Sequence, residues 1–380
     1  MRYVFWQNCL SMHQLPFVAK LMDCEGVECV TFVAGTDVDD TRRAMGWSVP
    51  QIKGLERCHT IHNPSDEEMT QLLSTHTTDT IHLFSGIRGF SFVYKAFRTS
   101  LKYSLTRGLI VERPDTYAFG CANGKPLWLH RIKFMLQDAQ YRKYIRYIFA
   151  MGDDAVTYYQ GLCKQWCVYP FSYCTETLHH EARKENKAAS STLNCLFIGS
   201  LTWWKSVSTI LDAFALLPPD SVCQIRLRIV GDGPERDMLK HKAQKLGLKS
   251  IEFIGTVAND HIAEELERSD VLILPSVYDG WGAVVNEALS YGCLAISSDK
   301  CGSKELLKDN RCGYVFRSGR PEELATLLTC CKNHLNDIRC KREWRTRWAE
   351  QRISGQVLAQ YMTDCINGKA PIRPWFLPQE

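Results

Sequence analysis

The feature that most constrains this chain is an alternation in its second half. Short apolar, β-rich runs are each followed by a turn and then by a stretch of helical periodicity. Such alternation predicts βα units, and βα units in series give a parallel sheet covered by helices. The expected strands are 195–198, 226–230, 252–254, 271–274, 294–297 and 314–316. Between them Val207, Ile210, Leu211, Phe214 and Leu217 fall on one helical face, Gly247 after Leu246 closes a second helix, and Pro321 opens a third. The first half repeats the rhythm less cleanly, with strands at 3–6, 29–33, 80–84, 109–112 and 148–151.

With 380 residues the chain can build two cores, and two Rossmann-like, doubly wound α/β domains in series are expected. The polar stretch at 176–191 reads as the linker between a first domain, 1–175, and a second, 192–340. In the remaining segment, 341–380, a basic helix carries Trp344 and Trp348 four residues apart, which suits a packed seam, with the first domain or a membrane as other docking partners.

Charge narrows the partners. Lys plus Arg is 46 against 42 for Asp plus Glu, a formal excess of +4, far from what a nucleic-acid-binding surface needs. The 17 cysteines are odd in number and scattered, and the first residues run straight into the strand-like RYVFWQ, so reduced thiols and a cytoplasmic setting are expected. Cys163 and Cys167, with His179 and His180 nearby, match no established zinc spacing and read as ordinary residues. No run of about 18 apolar residues occurs, so no spanning segment is expected.

In a parallel sheet ligands bind beyond the carboxyl ends of the strands, which directs attention to the strand-to-helix turns. Four of them carry ligand-type residues: GSLTWWK with Gly199, Ser200 and Lys205, GDGPE with Gly231, GTV with Gly255 and Thr256, and PSVYDGWGAVVNEAL. In the last, a helix starting near Gly282 would aim the N–H groups of Gly282, Ala283 and Val284 at an anionic diphosphate. Glu287 would share that face about 6 Å further along the axis, placed to take both hydroxyls of a ribose. Asp279 and Trp281 stand in the turn itself, where Asp279 could hold sugar hydroxyls and Gly280 and Gly282 admit close approach of the backbone. Each turn alone is a common structural device; four on one sheet edge point to a nucleotide-sugar.

Taken together, the order GSL…K, VGDGPE, FIGTV, SDVLILPS and DGWG resembles the family-four retaining glycosyltransferases of GT-B fold from about Leu193 to Leu335. The family's acidic residue and Glu, separated by seven intervening residues, correspond to Asp279 and Glu287. The resemblance implies two domains facing a central cleft, with donor binding by the second domain, acceptor binding by the first, and a closing C-terminal helix that crosses back. It also implies no metal, because Lys205 and backbone amides meet the phosphate charge, and retention by front-face attack. UDP-sugar is favoured over GDP-sugar as donor and a glycan or lipid-linked glycan is the implied acceptor. Bacterial capsule or exopolysaccharide synthesis is the implied setting, at a cytoplasmic site with peripheral membrane contact.

Three departures stand out. The first acidic position is Asp279 rather than the usual Glu, Ser200 stands where many members carry Arg, and NCLSMHQLP replaces the usual glycine pair after the first strand. Asn8, His13, Gln14, Glu112 and Arg113 are therefore the acceptor-side candidates, with His13, Glu112 and Arg113 grouped with Asp279 as catalytic.

Other readings stay open. Asp37 and Asp39 form a DxD of the kind that holds a metal and a diphosphate, although TDVDDTRR also reads as an acid-rich helix start. A non-catalytic GT-B protein binding a nucleotide-sugar or polysaccharide is the alternative function, and a paired-carboxylate hydrolase is a third. Between Arg131 and Arg146 five basic residues interleave with Phe134, Tyr141 and Tyr144, a solvated basic helix or a surface for anionic lipid.

Overall fold

The computed structural model describes residues 1–38, 43, 46–114, 127–175, 191–369 and 371–376. Asp39, His179, His180 and nearly all of the expected linker lie outside the described residues. The chain divides into two compact units. One comprises 1–40, 49–176 and 352–380, and the other 41–48 and 177–351.

Seven strands build the sheet of the first unit. They are β1 (Arg2–Cys9), β2 (Cys29–Thr36), β3 (His59–His62), β4 (Thr80–Phe84), β5 (Thr106–Val111), β6 (Tyr147–Met151) and β7 (Cys167–Phe171). Their order is β3-β2-β1-β4-β5-β6-β7 and each neighbouring pair is parallel. Consecutive strands run outward from β1 in one direction and from β4 in the other, so the winding reverses between β1 and β4. Central strands are buried on both faces, which is why β4, TIHLF, is apolar nearly throughout. Its two polar side chains, Thr80 and His82, are both buried, and His82 accepts from the indole of Trp6 at 3.2 Å.

The second unit holds β8 (Leu193–Ile198), β9 (Ile225–Val230), β10 (Ile251–Gly255), β11 (Val271–Leu274), β12 (Leu294–Ser298) and β13 (Gly313–Phe316). Their order is β10-β9-β8-β11-β12-β13, again parallel throughout, with the reversal between β8 and β11. Helix Val207–Ala215 covers one face with Val207, Ile210, Leu211 and Phe214, as its spacing predicts. Leu324 and Leu328 of helix Pro321–Asn333 join the same core. Both sheets are doubly wound, and the fold is the α/β, two-Rossmann-domain architecture of the GT-B class.

The basic helix near the C-terminus, Arg342–Ile353, serves the interior rather than a surface. Trp348 is buried, and the buried guanidinium of Arg345 donates to the carbonyls of Gly292, Arg311 and Ile338. Arg342 donates to Ser269 and Leu266, capping the end of helix Asn259–Arg268. Cations at helix carboxyl ends meet the negative pole of the dipole.

Candidate functional site

Five turns line the carboxyl edge of the second sheet, and backbone hydrogen bonds join each to the next. The Gly231 N–H donates to Gly255 at 2.8 Å and that of Gly199 to Val230 at 3.0 Å. Leu201 N–H donates to Asp232, and Val277 N–H to Trp204, both within 3.0 Å. A turn after β12 completes the series: Asp279 N–H donates to Lys300, Gly302 to Asp279 and Ser303 to Trp281. The rim is thus a continuous strip of main chain. Approach is so close that a methyl group on Gly231 would lie 2.0 Å from the Gly199 carbonyl oxygen, and one on Gly302 2.4 Å from that of Gly280.

At the reversal between β8 and β11 this strip carries its charged side chains. Lys205 follows β8 in a short 3-10 turn, Trp203–Lys205. Helix Val207–Ala215 begins two residues later because Ser206 takes a left-handed φ of 52° between them. This kink leaves the lysine on the rim. Its Nζ lies 2.6 Å from Oδ2 of Asp279, with both side chains largely but not wholly covered.

The helix after β11 also starts later than expected, at Val284, and ends at Ser290. Gly282 stands before it with φ +92°, where a side chain would be strained and a Cβ would meet Leu274 at 2.5 Å. Val285 and Glu287 donate their N–H groups back to Gly282 and Ala283. Glu287 is partly exposed on this helix, and desolvation pushes its carboxyl up to about 7. Gly292, at φ +74°, ends the helix and Cys293 N–H returns to Ala288 at 2.8 Å. Trp281 is turned inward: its indole is fully buried and donates to the buried Asn286 at 2.7 Å. Ser200 lies on the rim within 3.5 Å of Thr202, Gly255 is buried, and Thr256 is exposed.

Among these residues the fold brings Gly199, Ser200, Lys205, Gly231, Gly255, Asp279, Gly280, Gly282 and Glu287 onto one sheet edge. The turn after β12 was not foreseen, although its DKCGSKE sequence has the glycine of a close approach directly after a strand. It fixes the backbone of Asp279 from the far side.

In the first unit the acceptor-side candidates also gather at a carboxyl edge. Glu112 and Arg113 follow β5, whose last residue is Val111. His13 lies in the turn after β1, and Gln14 begins helix Leu15–Leu21. Tyr173, just past β7, links them: its hydroxyl donates to Glu112 Oε1 at 2.7 Å and its ring lies 5.8 Å from that of His13. Arg113 faces Asp154 at 3.6 Å. Asn8 sits near the end of β1, close to Gly35. Tyr173 carried no motif in the sequence, since it lies where the chain past β7 returns to the turn after β1, with Cys174 N–H donating to the His13 carbonyl at 3.1 Å. Asp37 lies past β2, with its carboxylate 2.5 Å from His62 Nδ1.

Known proteins share parts of this arrangement. An alpha-1,4-N-acetyl-D-galactosaminyltransferase of Campylobacter jejuni, acting on an undecaprenol-linked glycan, is 34% identical over 149 residues, 39% of this chain and 40% of that protein. The amylovoran biosynthesis glycosyltransferase AmsD of Erwinia amylovora is 34% identical over 136 residues, 35% of each chain. The matches thus span well under half the length of these curated relatives. In overall fold the chain is similar to Anabaena HepE, solved in complex with UDP, with a TM-score of 0.70 at 13% identity, covering 97% of this chain and 100% of that one. Residues 179–333, which hold the whole rim from Gly199 to Ser303, match the family model for glycosyl transferases group 1, and the chain carries a domain of that family there.

Proposed function

We propose that the protein is a retaining glycosyltransferase that moves a sugar from a nucleotide-sugar, UDP-linked before GDP-linked, to a glycan or lipid-linked acceptor in bacterial surface-polysaccharide synthesis. The observation that carries this reading is the Lys205–Asp279 pair at the reversal of the second sheet, 2.6 Å apart, with Glu287 on the adjoining helix. In open α/β sheets that reversal is where ligands bind. A diphosphate needs a compact cation, which Lys205 supplies. Hydroxyl groups of the donor sugar and ribose need carboxylates, which Asp279 and Glu287 supply. Lysine and aspartate pair directly; a nucleotide-sugar would part them and give each its own partner.

Transfer then draws on charge more than on covalent chemistry. As the glycosidic bond to the diphosphate lengthens, negative charge grows on the leaving oxygen, where Lys205 and the main-chain N–H groups of the rim oppose it. The leaving phosphate accepts the acceptor's proton on the same face, which gives retention. No metal takes part in this scheme. The acceptor side belongs to the first unit, with Glu112 held by Tyr173, and His13 and Arg113 beside it. The Campylobacter relative's lipid-linked substrate and the UDP in the HepE structure support the substrate classes.

A thermal-shift series with UDP, GDP and their sugars tests the donor. Saturation at a hundred times the dissociation constant stabilises by about 2.7 kcal/mol, and the expected ranking puts UDP first. Lys205→Ala is expected to lower transfer by about 100-fold or more with the fold intact. Transfer that survives unchanged in Lys205→Ala or in Glu287→Ala would remove the basis of this assignment. Activity should persist in EDTA, and a loss restored by manganese would overturn the metal-free scheme.

A further inference from the structure

Five of the thirteen large apolar side chains exposed among the described residues lie on a single helix, Leu127–Gln137. They are Trp128, Leu129, Ile132, Met135 and Leu136, and Leu136 is 81% exposed. Exposure of this kind, concentrated on one element, marks an interaction surface rather than chance.

The positions form a face. At about 100° per residue the five side chains span an arc of about 120°. Phe134 points the opposite way and is buried in the core of the first unit. Arg131 and Lys133, both exposed, fall about 40° beyond either edge of the arc. The helix therefore has one apolar side facing its own domain, a second facing outward, and a cation along each border of the outward side.

Charge around the helix has one sign. From 127 to 146 the basic residues are Arg131, Lys133, Arg142, Lys143 and Arg146, against a single acid, Asp138. Five minus one gives +4, which equals the formal excess of the whole chain. Asp138 is itself taken up by Arg88 at 2.5 Å. Tyr141, expected to share an amphipathic surface with these cations, is instead buried with Phe134, and the stretch breaks after Gln137 into a 3-10 turn, Ala139–Tyr144. The outward apolar face is thus a different set of residues from the one the charge pattern suggested.

We infer that this helix docks the protein on an anionic bilayer. Its apolar arc sinks into the boundary between headgroups and acyl chains, while Arg131 and Lys133 extend their stems along that boundary and pair with lipid phosphates. The helix lies in the surface plane. Its eleven residues cannot cross a bilayer, and no helix among the described residues is long and apolar enough to do so. This surface goes beyond the nucleotide-sugar reading and does not depend on it.

Sedimentation of the full chain with vesicles tests the inference. Wild type is expected to pellet with phosphatidylglycerol-containing vesicles and to remain in solution with pure phosphatidylcholine, its binding weakening as salt rises. Ile132→Glu combined with Leu136→Glu should lower partitioning by about tenfold or more, and Lys133→Glu by a smaller factor. Circular dichroism and UDP thermal shift, unchanged in the double variant, would report an intact fold. Wild-type partitioning in the double variant, or no binding of wild type to anionic vesicles, would overturn the inference while leaving the donor site untouched. Dissociation of a wild-type dimer by the same two substitutions, read by sedimentation velocity, would assign the face to a second copy of the chain instead.

Discussion

Glu287 combines two demands in one carboxyl group: it is held in a poorly solvated position, and its proposed partner needs it ionised. Desolvation raises it from an ordinary 4.5 to about 7. Between those values the folded chain keeps a proton that the unfolded chain has released. Stability conferred at this position is therefore greatest below about pH 4.5, declines as pH rises toward 7, and is level above it. Glu287→Gln removes the titration, so its stability relative to wild type should increase across that window, by on the order of 1–3 kcal/mol, in urea unfolding at the two ends. Ligand binding has the opposite sign. Ribose hydroxyls donate to the carboxylate and favour its ionised form. Affinity for a nucleotide-sugar, whose diphosphate does not titrate in this range, should tighten several-fold across about one unit on either side of pH 7 and stay flat in Glu287→Gln. Calorimetric titration at three pH values reads both slopes. A wild-type affinity independent of pH would remove Glu287 from the donor contacts.

Turns set the positions of these groups, and the turns hold one another. Gly231 has φ +126° and no room for a β-carbon against the Gly199 carbonyl. Gly231→Ala should consequently cost about 2 kcal/mol or more in chemical denaturation and lower nucleotide binding as well, since the β8 and β9 turns would separate. The same elements show what a sequence can and cannot reveal. Strand β11 was legible to the residue, because four consecutive apolar positions flanked by turn residues describe a strand buried on both faces. The two edge strands of the first sheet were not. His59–His62 has only partly covered side chains and no apolar run, and β7 carries Pro170, which an edge tolerates but a central strand does not. Lys205 was recognised by its motif, yet its 3-10 turn depends on the left-handed Ser206, a conformation that serine does not advertise. Tyr173 escaped notice because its link to Glu112 spans 61 residues and arises only from the path the chain takes after β7.

Taken whole, the molecule contains two reversals of winding, one in each sheet, and both satisfy the geometric condition for a ligand crevice. Charge separates them. The turn after β1, from Cys9 to Leu15, contains His13 but no lysine or arginine. After β4 the available cation is Arg88, which is bound to Asp138 and lies 4.6 Å from the ring centre of Tyr94. The reversal in the second sheet has Lys205 beside a carboxylate that donor hydroxyls can claim, and the close main-chain strip continues on both sides of it. A diphosphate should therefore choose the second unit. Hydrogen exchange with saturating UDP gives the test: amides in 199–206 and 276–290 should slow by about tenfold or more, whereas 9–14 and 85–90 keep their rates. Protection that appeared instead at 9–14 and 85–90 would move the nucleotide to the first unit and turn His13 and its neighbours from acceptor-side groups into donor contacts.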